Sequence, residues 1–326
     1  MVNRRTSAVS TTFQTVFGLA LLTIGFMATL ATLLGFFGSY WWAFDALANF
    51  RLQYAAVLLV VAALYGLVLS RGAALVFLAI GLVNVWLVLP LFLGSPEDAG
   101  GRGELSMVSF NVSASNDDRA RVLSWVDEAG PDMAFLLESS RAWEDDVSAA
   151  PPGFGYSVVS DFPEDRRFGI TVLAKGPVEQ TEVLRLGELE DPVVRVVTLL
   201  DGRPIVVYVV HPRAATTQEG SEARDSLLDA VAEEVAAEVD PVVVIGDLNA
   251  TPWSHAFRNL VSEADLVNSL DGFGLQPTWP DLPFVLAIPI DHMLHTVELT
   301  TKERAVGPSL GSDHKPLIVT IGRTGA

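Results

Sequence analysis

Two rules of hydrophobic patterning divide this chain. Up to about residue 94 the apolar positions run on without interruption; beyond it they come in short bursts separated by polar turns. No side chain from position 6 to position 44 is charged. Within that stretch Phe13 to Gly38 is long enough to cross roughly 30 Å of hydrocarbon, which takes about 20 helical residues. Arg51 and Arg71 bracket a second uncharged run, Leu52 to Ser70, and a third runs from Gly72 to Gly94. The pattern predicts three transmembrane helices, at about 13–38, 52–70 and 72–94, in a membrane domain of residues 1–94. A cleaved signal peptide accounts for the first run alone, and that run exceeds the roughly 7–15 apolar residues of a signal core.

The stretch 95–104, Ser-Pro-Glu-Asp-Ala-Gly-Gly-Arg-Gly-Glu, is polar and turn-rich and marks a linker. From Leu105 to the end, at 326, short apolar runs alternate with polar segments. Leu105–Phe110, Met133–Leu137, Ile170–Leu173, Val193–Leu200, Ile205–Val210, Val242–Ile245 and Leu317–Ile321 read as buried strands. Glu222 to Val239 reads as an amphipathic helix, with Ala223, Leu227, Leu228, Val231 and Val235 on one face. Short turns such as Asp201-Gly-Arg-Pro204 join some of the strands. The class is therefore α/β with much antiparallel pairing.

Charge sharpens the division. Of 21 basic and 39 acidic side chains, the first 94 residues hold only Arg4, Arg5, Asp45, Arg51 and Arg71, a net of +3. The total is −18, so residues 95–326 carry −21. Such a domain repels a nucleic-acid backbone unless basic groups or metals intervene. The chain has no cysteine, which excludes disulfides, thiolate-bound zinc and thiol catalysis. Three spans with the N-terminus inside leave Arg4, Arg5 and Arg71 on the cytoplasmic side and Arg51 and Arg102 opposite. That bias predicts a multi-pass cell-membrane protein with its large domain outside the cytoplasm. Tyr40, Trp41 and Trp42 stand where an interfacial aromatic belt belongs.

The candidate chemistry sits at the ends of the apolar bursts. Asn111, Glu138, His211, Asp247 with Asn249, Asp291 with His292, and Asp313 with His314 each border a predicted strand or an apolar run. Strand ends on one sheet edge converge, so these side chains can line one cleft. Glu138, Asp247, Asp291 and Asp313 are hard oxygen donors, and with Asn111 they suit Mg²⁺ or Mn²⁺ better than zinc. His211 and His314 can contact a phosphate or move a proton. Asn249 can donate to a pentavalent phosphoryl transition state. Together they indicate metal-assisted attack of water on a phosphoester.

The same residues carry a resemblance. Ser-Phe-Asn111-Val, Leu-Leu-Glu138-Ser, Phe-Gly169-Ile-Thr-Val-Leu, Val-His211-Pro, Gly-Asp247-Leu-Asn249-Ala-Thr-Pro, Pro-Thr-Trp279-Pro, Ile-Asp291-His292 and Gly-Ser-Asp313-His314-Lys-Pro occur in order. In combination they resemble the endonuclease/exonuclease/phosphatase superfamily over nearly all of residues 105–322. Three spans before such a domain are similar to the VanJ-like and YafD-like bacterial membrane proteins. The resemblance implies a four-layer α/β sandwich: two packed, mainly antiparallel sheets flanked by helices, preceded by the three transmembrane α-helices. It also implies roles. Asn111 and Glu138 bind the divalent metal, joined by Asp313 in many members. Asp247 orients or deprotonates the attacking water, and Asn249 steadies the transition state. Asp291 holds His314, which contacts the scissile phosphate, and His211 matches a second phosphate-contacting histidine. Ser113 departs from the aspartate of apurinic endonucleases, which weakens a DNA-repair reading. Ala174 stands where many relatives have serine.

Other polar residues take plainer readings. His292 is expected to point away from its neighbour Asp291, and His295 and His255 to be structural or at the surface. Trp279 either lines the cleft or anchors a loop. Arg166 and Arg167 either hold a phosphate or sit on a solvated turn. The leading function is a membrane-anchored, metal-dependent phosphoesterase whose partners are the bilayer and a phosphorylated or pyrophosphorylated envelope lipid. A nuclease on the same scaffold and a non-catalytic membrane binding protein are the alternatives.

Overall fold

The computed structural model describes residues 2–94, 103–149, 153–154, 156–159 and 169–325. Arg166, Arg167 and most of the 95–104 linker, including Arg102, lie outside the described residues. The described chain divides into two compact units, Met1–Pro90 and Leu91–Ala326.

The first unit is helical: α1 (Val2–Leu34), α2 (Trp42–Ala48), α3 (Arg51–Val68) and α4 (Arg71–Val88). Two stretches, Gln14–Phe37 and Arg71–Phe92, are long and apolar enough to cross a membrane. A third crossing requires α2 and α3, bent by 65° at their junction, to act as one span. Sequence reading placed Arg51 as a flanking charge, but the fold buries it to 2 % exposure. Its Nη1 donates to the Thr32 carbonyl at 2.7 Å, and its guanidinium lies 4.5 Å from the centre of the Phe36 ring. Asn84 donates to the Thr32 hydroxyl at 2.9 Å, so a polar pin joins α1 and α4 within an apolar surround.

Among the described residues, the second unit contains two six-stranded sheets and four α-helices, α5 (Arg119–Ala129), α6 (Arg141–Ala149), α7 (Gln218–Ala237) and α8 (His255–Glu263). Its strands are β1 (Leu105–Asn111), β2 (Met133–Leu137), β3 (Tyr156–Val159), β4 (Ile170–Ala174), β5 (Val178–Leu186) and β6 (Asp191–Leu200). They continue with β7 (Arg203–Val210), β8 (Val242–Asp247), β9 (Val267–Asn268), β10 (Asp291–His295), β11 (Leu299–Val306) and β12 (Leu317–Arg323). One sheet runs β11-β12-β1-β2-β4-β3 and the other β5-β6-β7-β8-β10-β9. Each is antiparallel except for one parallel pair, β1 with β2 and β7 with β8.

Alternation along the strands builds the layers. Met107, Phe135, Val207, Val209, Val243 and Ile245 point into a shared core between the sheets. Their neighbours Val108 and Phe110 face α5 and α6, while Tyr208, Val210 and Val244 face α7 and α8. Helices, sheet, sheet and helices therefore stack as the four-layer α/β sandwich that the resemblance implies. The amphipathic helix expected over Glu222–Val239 is α7, which ends at Ala237 and begins at Gln218, where the Thr217 side chain caps it by accepting from Gly220 N at 3.1 Å.

One glycine is dictated by close approach. Gly246 has φ +150°, and a Cβ there would collide with the Val210 carbonyl oxygen on the parallel neighbour strand. Gly246→Ala should therefore pry β7 from β8 beside Asp247 and cost more than about 2 kcal/mol. A urea midpoint indistinguishable from the parent's would refute that reading.

Candidate active site

Strand direction explains why the polar ends meet. β1 and β2 are parallel, so their C-terminal ends place Asn111 and Glu138 side by side. The parallel pair β7 and β8 does the same for His211 and Asp247. β10 runs the other way and begins opposite Asp247 with Asp291. β12 is antiparallel to β1, so the turn before it delivers Asp313 and His314 to the same edge. The Ser312 hydroxyl locks that turn by donating to the Asn111 carbonyl at 2.7 Å.

The result is a cleft of about 430 Å³ lined by Asn111, Glu138, His211, Asp247, Asn249, Asp313 and His314, among others. Asn111 Nδ2 donates to Glu138 Oε1 (3.0 Å) and to Asp247 Oδ2 (3.1 Å), and so draws two carboxylates together. Asp247 Oδ2 is 3.7 Å from His211 Nε2 and 3.6 Å from His314 Nε2. Asp247 Oδ1 accepts from Asn249 N at 2.9 Å, and the Asn249 amide donates to the Pro212 carbonyl at 3.0 Å, which fixes its plane. Asp291 lies behind the cleft wall, fully buried, and its Oδ2 is 2.9 Å from His314 Nδ1. Trp279 does both things foreseen for it: it lines the cleft, and its Nε1 donates to Asp313 Oδ2 at 3.0 Å.

Burial and charge set the protonation states. Burial lowers the pKa of His314, but the Asp291 and Asp247 carboxylates outweigh it and hold the imidazole up to about 10. Burial lifts Asp247 above the usual carboxylate range; His314 and His211 pull it down and Asp291 pushes it further up. A charged imidazole and a basic carboxylate thus stand against each other.

The donor set fits a hard divalent cation. Glu138, Asp247, Asp313 and Glu219 line one cleft, and Arg213 on its wall is paired with Asp191 at 3.0 Å. An anionic phosphate entering this field needs a counter-charge, and carboxylate and amide oxygens suit Mg²⁺ or Mn²⁺. Among the described residues, Asp247, Asp291 and His314 each offer a possible ligand atom within 4.8 Å of the others. In that trio the Asp291–His314 hydrogen bond already engages two of the groups.

Sequence reading missed the supports. Arg224, 1 % exposed, reaches from α7 to donate to the Asn249 carbonyl at 3.2 Å. Its signal was a charge on the apolar stripe of that helix, four residues before Leu228. Arg304 on β11 donates to the Asp291 carbonyl at 3.4 Å, and Thr278 Oγ1 accepts from Asp291 N at 3.2 Å.

His292 faces away from the cleft as expected, its Nε2 2.8 Å from the Ala250 carbonyl and its ring 4.6 Å from that of Phe257. His295 is also buried and structural, with Nε2 3.1 Å from Thr301 Oγ1. Burial, aided by the Arg304 charge, pushes His292 down to about 4, below the ordinary 6.5. The unfolded chain then binds the extra proton between those values, so stability falls as pH drops through that window. Acidification from pH 7 to pH 5 should remove about 2 kcal/mol through this group. Urea unfolding of the detergent-solubilised chain at both pH values tests it. An equally steep loss in His292→Gln would show that the histidine is not responsible.

Comparisons place this geometry among known proteins. A comparison with curated protein sequences finds no match. Among solved structures, an endonuclease/exonuclease/phosphatase from Beutenbergia cavernae superposes with a TM-score of 0.55 at 20 % identity, covering 69 % of this chain and 73 % of that one. The human Nocturnin catalytic domain with bound sulfate gives 0.55 at 16 %, covering 68 % and 95 %. D. rerio TDP2 complexed with a single-strand DNA product gives 0.55 at 17 %, covering 67 % and 99 %. These likenesses show the fold. The sequence profile of the Endonuclease/Exonuclease/phosphatase family matches residues 108–314, a span that holds every residue of the cleft described above. That match covers more than half of the chain, beginning three residues before Asn111 and ending at His314, so this protein belongs to the Endonuclease/Exonuclease/phosphatase family.

Proposed function

We propose that the chain is a membrane-anchored, divalent-metal-dependent phosphoesterase that cleaves a phosphate ester or pyrophosphate of an envelope lipid carrier. The observation that carries the chemistry is that one Asn111 amide bridges Glu138 and Asp247 while the His211 and His314 imidazoles both stand beside Asp247. Asn111 and Glu138, with Asp313, would hold Mg²⁺ or Mn²⁺, which when bound supplies Lewis-acid neutralisation of phosphoryl oxygens. Asp247 accepts the proton of the attacking water at a carboxylate whose pKa is already raised. His314, oriented through Nδ1 by Asp291, presents its Nε2–H to a non-bridging phosphoryl oxygen. His211 offers a second Nε2 beside the same carboxylate. Asn249 donates to the charge that builds in the transition state.

The lipid assignment draws on the rest of the chain. Two helices, or three with the bent pair, are apolar and long enough to cross a membrane. The ten-residue linker reaches at most about 35 Å, so a substrate in the same bilayer is searched for in two dimensions. With the bent pair counted as a third span, the Arg4, Arg5 and Arg71 bias supports a cytoplasmic N-terminus and an extracytoplasmic catalytic domain. The intact protein should therefore release phosphate from a polyprenyl pyrophosphate faster than it cleaves DNA, at equal enzyme and about 0.15 M salt. The second reading, a nuclease, is favoured by the likeness to TDP2 bound to a DNA product. Efficient DNA cleavage with no release from the lipid would establish it instead.

A further inference from the structure

The residues between Trp279 and Asp291 take no part in the chemistry above, yet their sequence is unusual for an acidic domain. Leu282-Pro-Phe-Val-Leu-Ala-Ile-Pro-Ile290 has no polar side chain, and it is a loop rather than a strand. Its base is closed by paired backbone hydrogen bonds between Trp279 and Ile288, at 3.1 and 2.6 Å. Ala287, Ile288 and Ile290 are buried, whereas Leu282, Val285 and Leu286 at the tip are 49 %, 66 % and 57 % exposed. Exposed aliphatic side chains grouped so closely call for an apolar partner.

Two further observations bear on what that partner is. The loop is tied to the catalytic turn: Asp281 N donates to the Asp313 carbonyl at 2.7 Å, and Lys315 neutralises Asp281 at 3.3 Å. A few residues upstream, still within the second unit, Gly274 N donates to the Leu91 carbonyl at 2.6 Å. Leu91 belongs to the apolar stretch that ends at Phe92. Gly274 is thus tied to Leu91 within the second unit. A protein partner fits poorly, since three side chains offer far less than the roughly 800 Å² that each side of a stable interface buries. A bilayer needs only a short uncharged tip, and here Lys315 neutralises Asp281, the carboxylate next to Leu282 in the chain.

We propose that the Trp279–Ile288 loop seats Leu282, Val285 and Leu286 in the headgroup–acyl boundary of the bilayer, beside the mouth of the cleft. Its value to catalysis, placing the cleft at the depth of a lipid phosphate, rests on the phosphoesterase reading; the contact itself does not. Because the chain has no cysteine, Val285→Cys gives a single labelling site. The full chain, carrying an environment-sensitive fluorophore there, is reconstituted into phosphatidylcholine vesicles. Lipids brominated on their acyl chains should quench the label and aqueous iodide should not. A label at Val239→Cys, where the native side chain is 95 % exposed, should show the reverse. Quenching of the Val285 label by iodide alone would overturn the proposal. In a second measurement, the L282S/V285S/L286S variant should lose about tenfold in kcat/KM on a vesicle-borne lipid pyrophosphate. It should retain parental turnover of a soluble chromogenic phosphodiester. Equal loss on both substrates would also overturn it. If the parent turns over neither substrate, the phosphoesterase reading fails, and the quenching still decides the fate of the loop.

Discussion

Asp247→Asn should lower kcat by about 10²–10³-fold, the cost of removing one preorganised group from a transition state. The substitution keeps the shape, so the Asn249 N contact survives, but the amide can no longer take a proton from water. It also removes the negative charge 3.6 Å from His314 Nε2. Glu138→Gln should lose at least about 10²-fold by a different route, since the amide donates less charge to a cation. The two are distinguishable. Excess Mg²⁺ or Mn²⁺ should recover part of the activity of Glu138→Gln and none of that of Asp247→Asn. Chelation with EDTA should silence the parent enzyme. Parental rates in EDTA, or in Asp247→Asn, would exclude the mechanism.

The second large effect is expected at the buried pair. Asp291→Asn removes the charge that most raises His314 and forces the imidazole toward its neutral state near pH 7. Asp291→Asn and His314→Gln should each cost about 10²–10³-fold in kcat, and the double variant little more than either alone, because the two groups act as a unit. The double-mutant cycle measures this coupling directly. Fully additive losses would mean that Asp291 and His314 contribute separately. The circular dichroism of Asp291→Asn provides the control, because Asp291 is fully buried and Arg304 holds its backbone carbonyl.

The hydrophobic pattern by itself determined the three long helices of the first unit, α1, α3 and α4, and seven of the strands of the second; the short α2 and its 65° bend against α3 were not legible in it. Those strands are the ones whose residues are covered on both faces, so their sequences are near-continuous apolar runs. β3, β5, β9 and β11 escaped notice because they are the four edges of the two sheets. An edge strand is half solvated and reads as polar, as β5 does in Val-Glu-Gln-Thr-Glu-Val-Leu-Arg-Leu. β10 was hidden differently: its five residues, Asp-His-Met-Leu-His, are all buried although three of them are ionisable. Every candidate site residue was legible as a polar side chain bordering an apolar run or strand, because the cleft is lined from where the strands end. What the tertiary structure decided is which of them meet. Parallel pairing of β1 with β2 in one sheet and of β7 with β8 in the other brings two strand ends from each sheet to the cleft, while antiparallel β10 and β12 supply Asp291 and His314. It decided that Asp291 meets His314 from behind the cleft wall and that Arg224 and Arg304 hold the Asn249 and Asp291 carbonyls from elements far off in sequence. Such contacts depend on the register and direction of strands separated by scores of residues, and no local pattern along the chain encodes them.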